Sequence, residues 1–292
     1  MKIAVAGTGY VGLVTGVCLS EHGHEVTCVD VDENKVKMME SGKSPIYEPG
    51  LEELMVKNMD HLYFTTDYKK AYVDADVIII AVGTPEKRDG SANLAYVFGV
   101  ASQIAASISK ECVVIVKSTV PIGTNDEVER LLNENPLELR VHVASNPEFL
   151  AQGTAVPDTM HASRIVLGVN DDFAREKLLE MYQNFDAPIM VCNRRSAEMI
   201  KYASNDFLAL KISYMNEIAN LCEAIGANVE EVAKGMGFDE RIGKRFLHAG
   251  IGYGGSCFPK DTKALHHLSA QNGCEMRTVK AAIEVNEGQK YK

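Results

Sequence analysis

A chain of 292 residues is long enough for two domains with separate cores, and 46% hydrophobic against 24% charged residues is globular rather than disordered composition. Its formal net charge of −10 argues against a nucleic-acid protein or a binder of anionic membranes, since both need a basic face. No apolar run approaches the length of a transmembrane helix, and the seven cysteines, scattered and without a CxxC pair, argue for a reducing cytoplasm rather than structural zinc or a disulfide framework.

The opening stretch, "MKIAVAGTGYVG", is too short and too glycine-broken for a signal peptide, and reads better as a strand entering a tight turn. Short β-branched runs then alternate with helical stretches: "KIAVAG", "EVTCVD", "ADVIIIAVG", "CVVIVKST" and "VHVAS". "RIVLGV" and "PIMVC" add strands before about residue 192. Apolar runs without alternation suit strands buried on both faces, as in a parallel sheet flanked by helices. Leu94 to Ile108 carries helical spacing between two such runs, so this part of the chain is a series of βαβ units.

Within it, "GTGYVG" places Gly7, Gly9 and Gly12 directly after a strand and at the opening of a helix. Gly7 permits the turn, Gly9 lets the backbone approach a pyrophosphate, and Gly12 lets helix and strand pack closely. The anion would lie against the helix N-terminus, where free N–H groups and the dipole favour it. Asp30 ends the second strand at the spacing of the acidic residue that accepts hydrogen bonds from an adenosine ribose. A carboxylate there repels a 2′-phosphate and no arginine follows closely, so the expected cofactor is NAD rather than NADP. Lys35 either reaches the same ribose or lies on a solvated helix. The expected class is α/β, with an N-terminal Rossmann-type doubly wound parallel sheet. "VGTP" and "KSTVPIGT" bring Thr84 and Thr119 to the carboxyl edge where ligands gather in such sheets, and "SNPEFLAQGTA" brings Glu148 to the same edge.

Past residue 192 the texture changes. Ser196 to Ile225 is helical for many turns, and Gly226 offers a C-terminal stop. "NVEEVAKGMG" is a second helix, and after a glycine-rich loop "FPKDTKALHHLSAQNG" and "RTVKAAIEVNEGQKYK" are helical again. The expected division is residues 1–192 as the NAD domain and 193–292 as an all-helical central domain. The apolar face of the long helix exceeds what its short neighbours cover, which suits either a homodimer or a buried intramolecular helix. Lys201 and Asn205, four apart, share a face. Such a pair suits either an oxyanion or a solvated stripe. Asp206 and Lys211 fall on other faces.

The glycine-rich loop, "IGYGGSCFPKD", sets Cys257 after Gly252, Gly254 and Gly255, with Lys260 and Asp261 just beyond. "FPKD" is a helix start with Pro259 in its first turn, so Cys257 lies at a helix N-terminus, where a thiolate is favoured. The other six cysteines lie within strand- or helix-like runs and read as packing residues.

Taken together, "MKIAVAGTGYVGL", "VGTP", "KSTVP", "NPEFL", "AEMIKYASNDFLALKISYMNEI" and "GYGGSCFPKD" resemble, in order, the motifs of the nucleotide-sugar 6-dehydrogenases, their UDP-glucose branch above all. The resemblance implies oxidation of the C6 alcohol of a UDP-sugar to a carboxylate in two NAD-dependent steps, without release of the aldehyde. By motif, Cys257 would be the nucleophile, carrying a thiohemiacetal and then a thioester. Lys201 and Asn205 would stabilise the oxyanion, Asp261 would orient water, and Glu148 and Thr119 would assist. Tyr10, Val11, Asp30, Lys35, Thr84, Thr119, Gln152 and Lys260 match cofactor positions. Phe149, Leu150, Arg241, Phe246, Leu247, His248, Ala249, Gly250 and Gly254 match substrate positions, beside Glu148, Lys201 and Asn205. No metal is implied, and the central helices would form a homodimer.

Two departures stand out. Gln152 occupies a position where many members carry Glu, and an amide cannot act as a base. The family continues into a further uridine-nucleotide domain that this chain is expected to lack, so NAD binding should persist while sugar-nucleotide affinity and turnover fall. Competing readings are a UDP-N-acetylhexosamine or GDP-mannose dehydrogenase, a 6-phosphogluconate or β-hydroxyacid dehydrogenase with no need of a thiol, and a non-catalytic NAD-binding module.

Overall fold

The computed structural model describes all residues from Met1 to Lys292. The chain divides into two compact units, Met1–Thr84 with Asn93–Lys201, and Pro85–Ala92 with Tyr202–Lys292.

In the first unit the β-branched runs become strands of one sheet. Its first half contains β1 (Lys2–Ala6), α1 (Tyr10–Glu21), β2 (Glu25–Val29), α2 (Glu33–Glu40), α3 (Leu51–Lys57), β3 (Leu62–Thr65), α4 (Tyr68–Tyr72) and β4 (Val77–Ile80). There follow α5 (Ala95–Ala105), β5 (Cys112–Val116), α6 (Thr124–Leu132), β6 (Val141–Ser145), α7 (Ala155–Met160), β7 (Ile165–Gly168), α8 (Asp172–Met181) and β8 (Ile189–Cys192). The strand order is β3-β2-β1-β4-β5-β6-β7-β8. Every pair is parallel except β6 with β7, which meet antiparallel through Ser145 and Gly168.

Alternate residues of β1 and β4 feed opposite cores, so the central strands are apolar throughout. Ile3, Val5, Val77 and Ile79 pack with α1, α3, α7 and α8, while Ala4, Ala6, Ile78 and Ile80 pack with α4, α5 and α6. The order reverses at β1 and β4, which is the switch point where open α/β sheets take ligands.

The sequence reading omits β3. "LYFT" is only four residues long, at the sheet edge, with Tyr63 exposed between buried Leu62 and buried Phe64. Alternation, not an apolar run, is the signature of such an edge.

The second unit is helical: α9 (Arg194–Ile225), which starts in the first unit, then α10 (Val229–Gly237), α11 (Phe258–Gln271) and α12 (Arg277–Gln289). No helix-breaking residue interrupts α9 until Gly226, which takes a left-handed φ of 74°. Within the first unit its opening turns are held by Arg194, bonded to Asp126 and Glu129, and by Glu198, which accepts from Gly123 N, Asn125 N and Asn125 Nδ2. In the second unit Ser213 Oγ donates to Ala282 O at 2.8 Å and fixes α9 on α12. No helix is long and apolar enough to cross a membrane.

Candidate active site

The glycine turn is built as its spacing requires. Gly7 has φ of 96°, and a Cβ on Gly12 would stand 1.9 Å from Gly7 O, so neither position admits a side chain. Gly9 caps α1, and a Cβ there would meet no protein atom within 4 Å. Val11 lies on the first turn of that helix, half-buried.

Asp30, at the end of β2, accepts from Thr8 N at 3.1 Å, Thr8 Oγ1 at 2.5 Å and Asp32 N at 3.0 Å, with Lys35 Nζ 3.8 Å away. Burial alone would raise its carboxyl, but these bonds and the Lys35 charge outweigh it and hold the group below the usual carboxylate range. Thr84 Oγ1 donates to Thr119 O at 2.9 Å, tying the ends of β4 and β5.

Tyr10 is fixed by a residue the sequence reading missed. Its hydroxyl donates to Glu48 Oε2 and also reaches Ala151 O at 3.2 Å. Glu48 accepts in addition from Gly153 N at 2.9 Å and Ala155 N at 2.6 Å, and so pins the loop that exposes Gln152.

The end of β6 carries a buried polar cluster. Lys201 Nζ donates to Glu148 Oε1 at 2.7 Å and to Glu148 O at 2.8 Å, while Glu148 Oε2 accepts from Leu150 N at 2.7 Å. The Phe149 ring lies under the Arg164 guanidinium at 3.9 Å and 5.6 Å from Lys201 Nζ. A second ammonium, Lys117, is buried beside Asn146 Oδ1 at 2.9 Å, and burial pulls it down to about 8. The charge of Lys201 acts in the same direction and that of Glu148 against it. Two cations therefore share one carboxylate.

In the second unit Cys257 takes the N-cap position of α11 and is exposed, with Ser256 Oγ 3.7 Å from its sulfur. Asp261, almost wholly buried, accepts from Asn205 Nδ2 at 2.7 Å and from Lys260 Nζ at 2.5 Å, and its N–H donates to Cys257 O at 2.8 Å. The structure thus brings Asn205, Lys260 and Asp261 together beside the thiol-bearing turn.

Two amides hold this loop, and neither was expected. Asn216 on α9 accepts from Gly250 N at 2.8 Å. Asn286 on α12 accepts from Tyr253 N at 2.7 Å and donates to Tyr253 O at 3.1 Å. A Cβ on Gly252, whose φ is 109°, would fall 2.5 Å from Asn286 Oδ1, so that amide fits only against glycine. Gly254 is exposed with open space around it.

Of the remaining substrate positions, Leu247, His248 and Ala249 line a cavity of about 530 Å³ together with Lys234 and Lys244. Gly250 is exposed, Phe246 takes a left-handed φ of 64° beside Phe258, and Arg241 is exposed and paired with Asp239 at 2.6 Å. Of the six other cysteines, Cys18, Cys28, Cys112 and Cys222 are buried packing residues as expected. Cys274 corrects that expectation: it is exposed, in the turn between α11 and α12, because Gly273 has already ended the helix.

A doubly wound sheet with a glycine turn, an open helix N-terminus and a carboxylate at the end of β2 is the framework of a dinucleotide-binding domain. The chain belongs to the UDP-glucose/GDP-mannose dehydrogenase family: residues 1–186 match its NAD-binding domain and residues 195–288 its central domain. It is 54% identical over 292 residues to a UDP-glucose 6-dehydrogenase of Bacillus subtilis, covering 99% of this chain and 66% of that protein. The solved UDP-glucose dehydrogenase from the archaeon Pyrobaculum islandicum superposes with a TM-score of 0.95 at 42% identity, over 98% of this chain and 67% of that one. The GDP-mannose dehydrogenase of Pseudomonas aeruginosa, solved as a ternary complex, gives 0.81 at 37% identity over 99% and 69%. The chain spans about two thirds of the length of the curated relatives it matches, from 63% to 68% among four of them.

The residues present fit NAD. Gly9 leaves the helix N-terminus open to a pyrophosphate, and the ionised Asp30, whose Oδ1 accepts only from Asp32 N, keeps a lone pair there for a ribose hydroxyl.

Proposed function

We propose that this chain carries the cofactor-binding and thiol-bearing parts of an enzyme that oxidises the C6 alcohol of a UDP-sugar, UDP-glucose foremost, to the uronate. The observation that carries this reading is the exposed Cys257 at the head of α11, next to a buried Asp261 already held by Asn205 and Lys260. A core cysteine has no use for that setting. Bound NAD supplies the hydride-accepting ring for each of two oxidations.

Cys257 works between them. Its thiolate adds to the C6 aldehyde, forming a C–S bond and an alkoxide, and protonation gives the thiohemiacetal. Loss of the hydroxyl proton together with a hydride from that carbon leaves a thioester. Water attacks the thioester, the C–S bond breaks, and the thiol and the carboxylate are returned. Lys201 and Asn205 stabilise the oxyanions, Asp261 orients the water, and Glu148, assisted by Thr119, moves protons. Covalent retention keeps the aldehyde from escaping between steps. Gln152, an exposed amide, contributes binding only.

The cavity bordered by Leu247, His248 and Ala249 carries two lysines, which suits a diphosphate. We also take residues 1–192 and 193–292 as the two domains, the cytoplasm as the setting, and a homodimer through the central helices as the working form. The relatives named as UDP-glucose dehydrogenases favour that sugar over GDP-mannose or a UDP-N-acetylhexosamine.

The test counts electrons. With UDP-glucose the protein should form two NADH per sugar consumed, and quenched samples should carry a sugar nucleotide on the Cys257 peptide by mass spectrometry. Cys257→Ser should abolish uronate formation. One NADH per sugar, unchanged by that substitution, would mean single-step alcohol oxidation without a thiol.

A further inference from the structure

Asp206 follows Asn205 on α9 and is 5% exposed, yet neither of its carboxylate oxygens has a hydrogen-bond partner. No other acidic side chain in the protein is left so completely unpaired among the buried polar groups. Its near neighbour Asp261, 1% exposed, has both oxygens engaged, Oδ2 by Asn205 and Oδ1 by Lys260. The second unit therefore buries two carboxylates, and the Lys260 ammonium is committed to Asp261.

A buried carboxylate with no donor and no cation is far costlier than the neutral acid, and a second negative charge nearby adds to the cost. The titratable groups acting on Asp206 are Asp261 from α11 and Tyr253 from the cysteine loop, both buried and neither cationic. Burial first, and the Asp261 charge second, push the Asp206 carboxyl up to about 7.

We infer that Asp206 is a positioning residue for Asp261: it holds the proton of a buried carboxylate pair, leaving Asp261 as the single anion bound by Asn205 and Lys260. While Asp206 is neutral, Asn205 and Lys260 serve one anion in a fixed orientation. When it ionises, a second buried carboxylate charge stands beside Asp261, and the orientation that Asn205 and Lys260 give Asp261 is no longer fixed. The consequence for catalysis rests on the proposed role of Asp261 in orienting the hydrolytic water. There, uronate release would follow the protonation of Asp206.

The first experiment needs no turnover. Carboxyl ¹³C shifts of the aspartate-labelled protein, without NAD or sugar, should show one group titrating near neutrality, and the Asp261 signal should step at the same midpoint. Asp206→Asn should remove both transitions. A melting curve checks that this isosteric variant folds; relief of the buried charge should leave it at least as stable as the parent at pH 8. Every aspartate ionised below about pH 5, or a neutral-range step that survives Asp206→Asn, would overturn the inference. The second experiment follows uronate formation against pH. The parent should show an ionisation near neutrality that the variant lacks, and identical profiles would overturn the link to catalysis. One NADH per sugar, unchanged by Cys257→Ser, would refute the proposed function while leaving the carboxyl titration to decide the pair.

Discussion

Lys117 closes β5 with its amine buried, one good acceptor in Asn146 Oδ1, and the ammonium of Lys201 acting against it. A buried cation that lacks a carboxylate of its own destabilises the fold. Its folded value near 8 lies below the ordinary 10.5, so the native state gives up this proton more readily than the unfolded chain. The sign follows from linkage. The penalty is present in full below about pH 8, is relieved as pH rises, and vanishes above about 10.5, where both states are neutral. Lys117→Met should therefore gain about 3 kcal/mol at pH 7, less about 1 for the lost bond to Asn146. Urea unfolding of parent and variant at pH 7 and pH 10 reads this directly: the gap should narrow, or reverse, at the higher pH. An equal gap at both would mean that the amine is not held below its ordinary value. Neither this amine nor the Glu148–Lys201 bond was legible beforehand. "KSTVP" marks a strand end, but the bond joins residues 53 apart in the chain. Likewise Glu48, Asn216 and Asn286 look like ordinary polar residues until folding brings a loop backbone onto each of them.

At the level of elements, the glycine turn separates what the fold needs from what the ligand needs. Gly12 is required by packing: a methyl there collides with Gly7 O, so α1 must move off β1. Gly9 is not, since its φ of −69° suits any residue and its Cβ would face open space. Gly12→Ala should cost about 3 kcal/mol or more and abolish NAD binding with it. Gly9→Ala should leave the melting temperature unchanged and weaken NAD about tenfold or more, because the methyl stands where the pyrophosphate approaches. Differential scanning fluorimetry with and without NAD distinguishes the two. A Gly9 variant that binds NAD as the parent does would remove this turn from the cofactor site. The same physics explains which elements were readable. The central strands were, because burial on both faces leaves uninterrupted apolar runs. The edge strand β3 was not, because four alternating residues satisfy a sheet edge without any such run. The long helix was read within two residues of its start, since packing and polar anchors at Arg194, rather than periodicity, decide where it begins. The reversed direction of β7 had no sequence signal, for a single pairing with β6 sets it.

For the molecule as a whole, the open question is what covers α9. Phe207, Tyr214 and Leu221 recur at heptad spacing with Ile225 four residues further on, and each is exposed by half or more. A helix of 32 residues is about 48 Å long, enough to carry an interface of ordinary size. Burying a side chain of this kind is worth roughly 1.5–3 kcal/mol, and a two-fold interface collects that from both copies. Charge placed on the stripe reverses the balance, since a buried carboxylate without a partner must be desolvated. The parent should therefore scatter light as a dimer after size exclusion at micromolar concentration. The double substitution Phe207→Glu with Leu221→Glu should elute as a monomer with unchanged helical circular dichroism, because both side chains are exposed in the single chain. A parent that stays monomeric across the whole concentration range, with the substitutions changing nothing but solubility, would leave the stripe without a second copy of the chain to cover it.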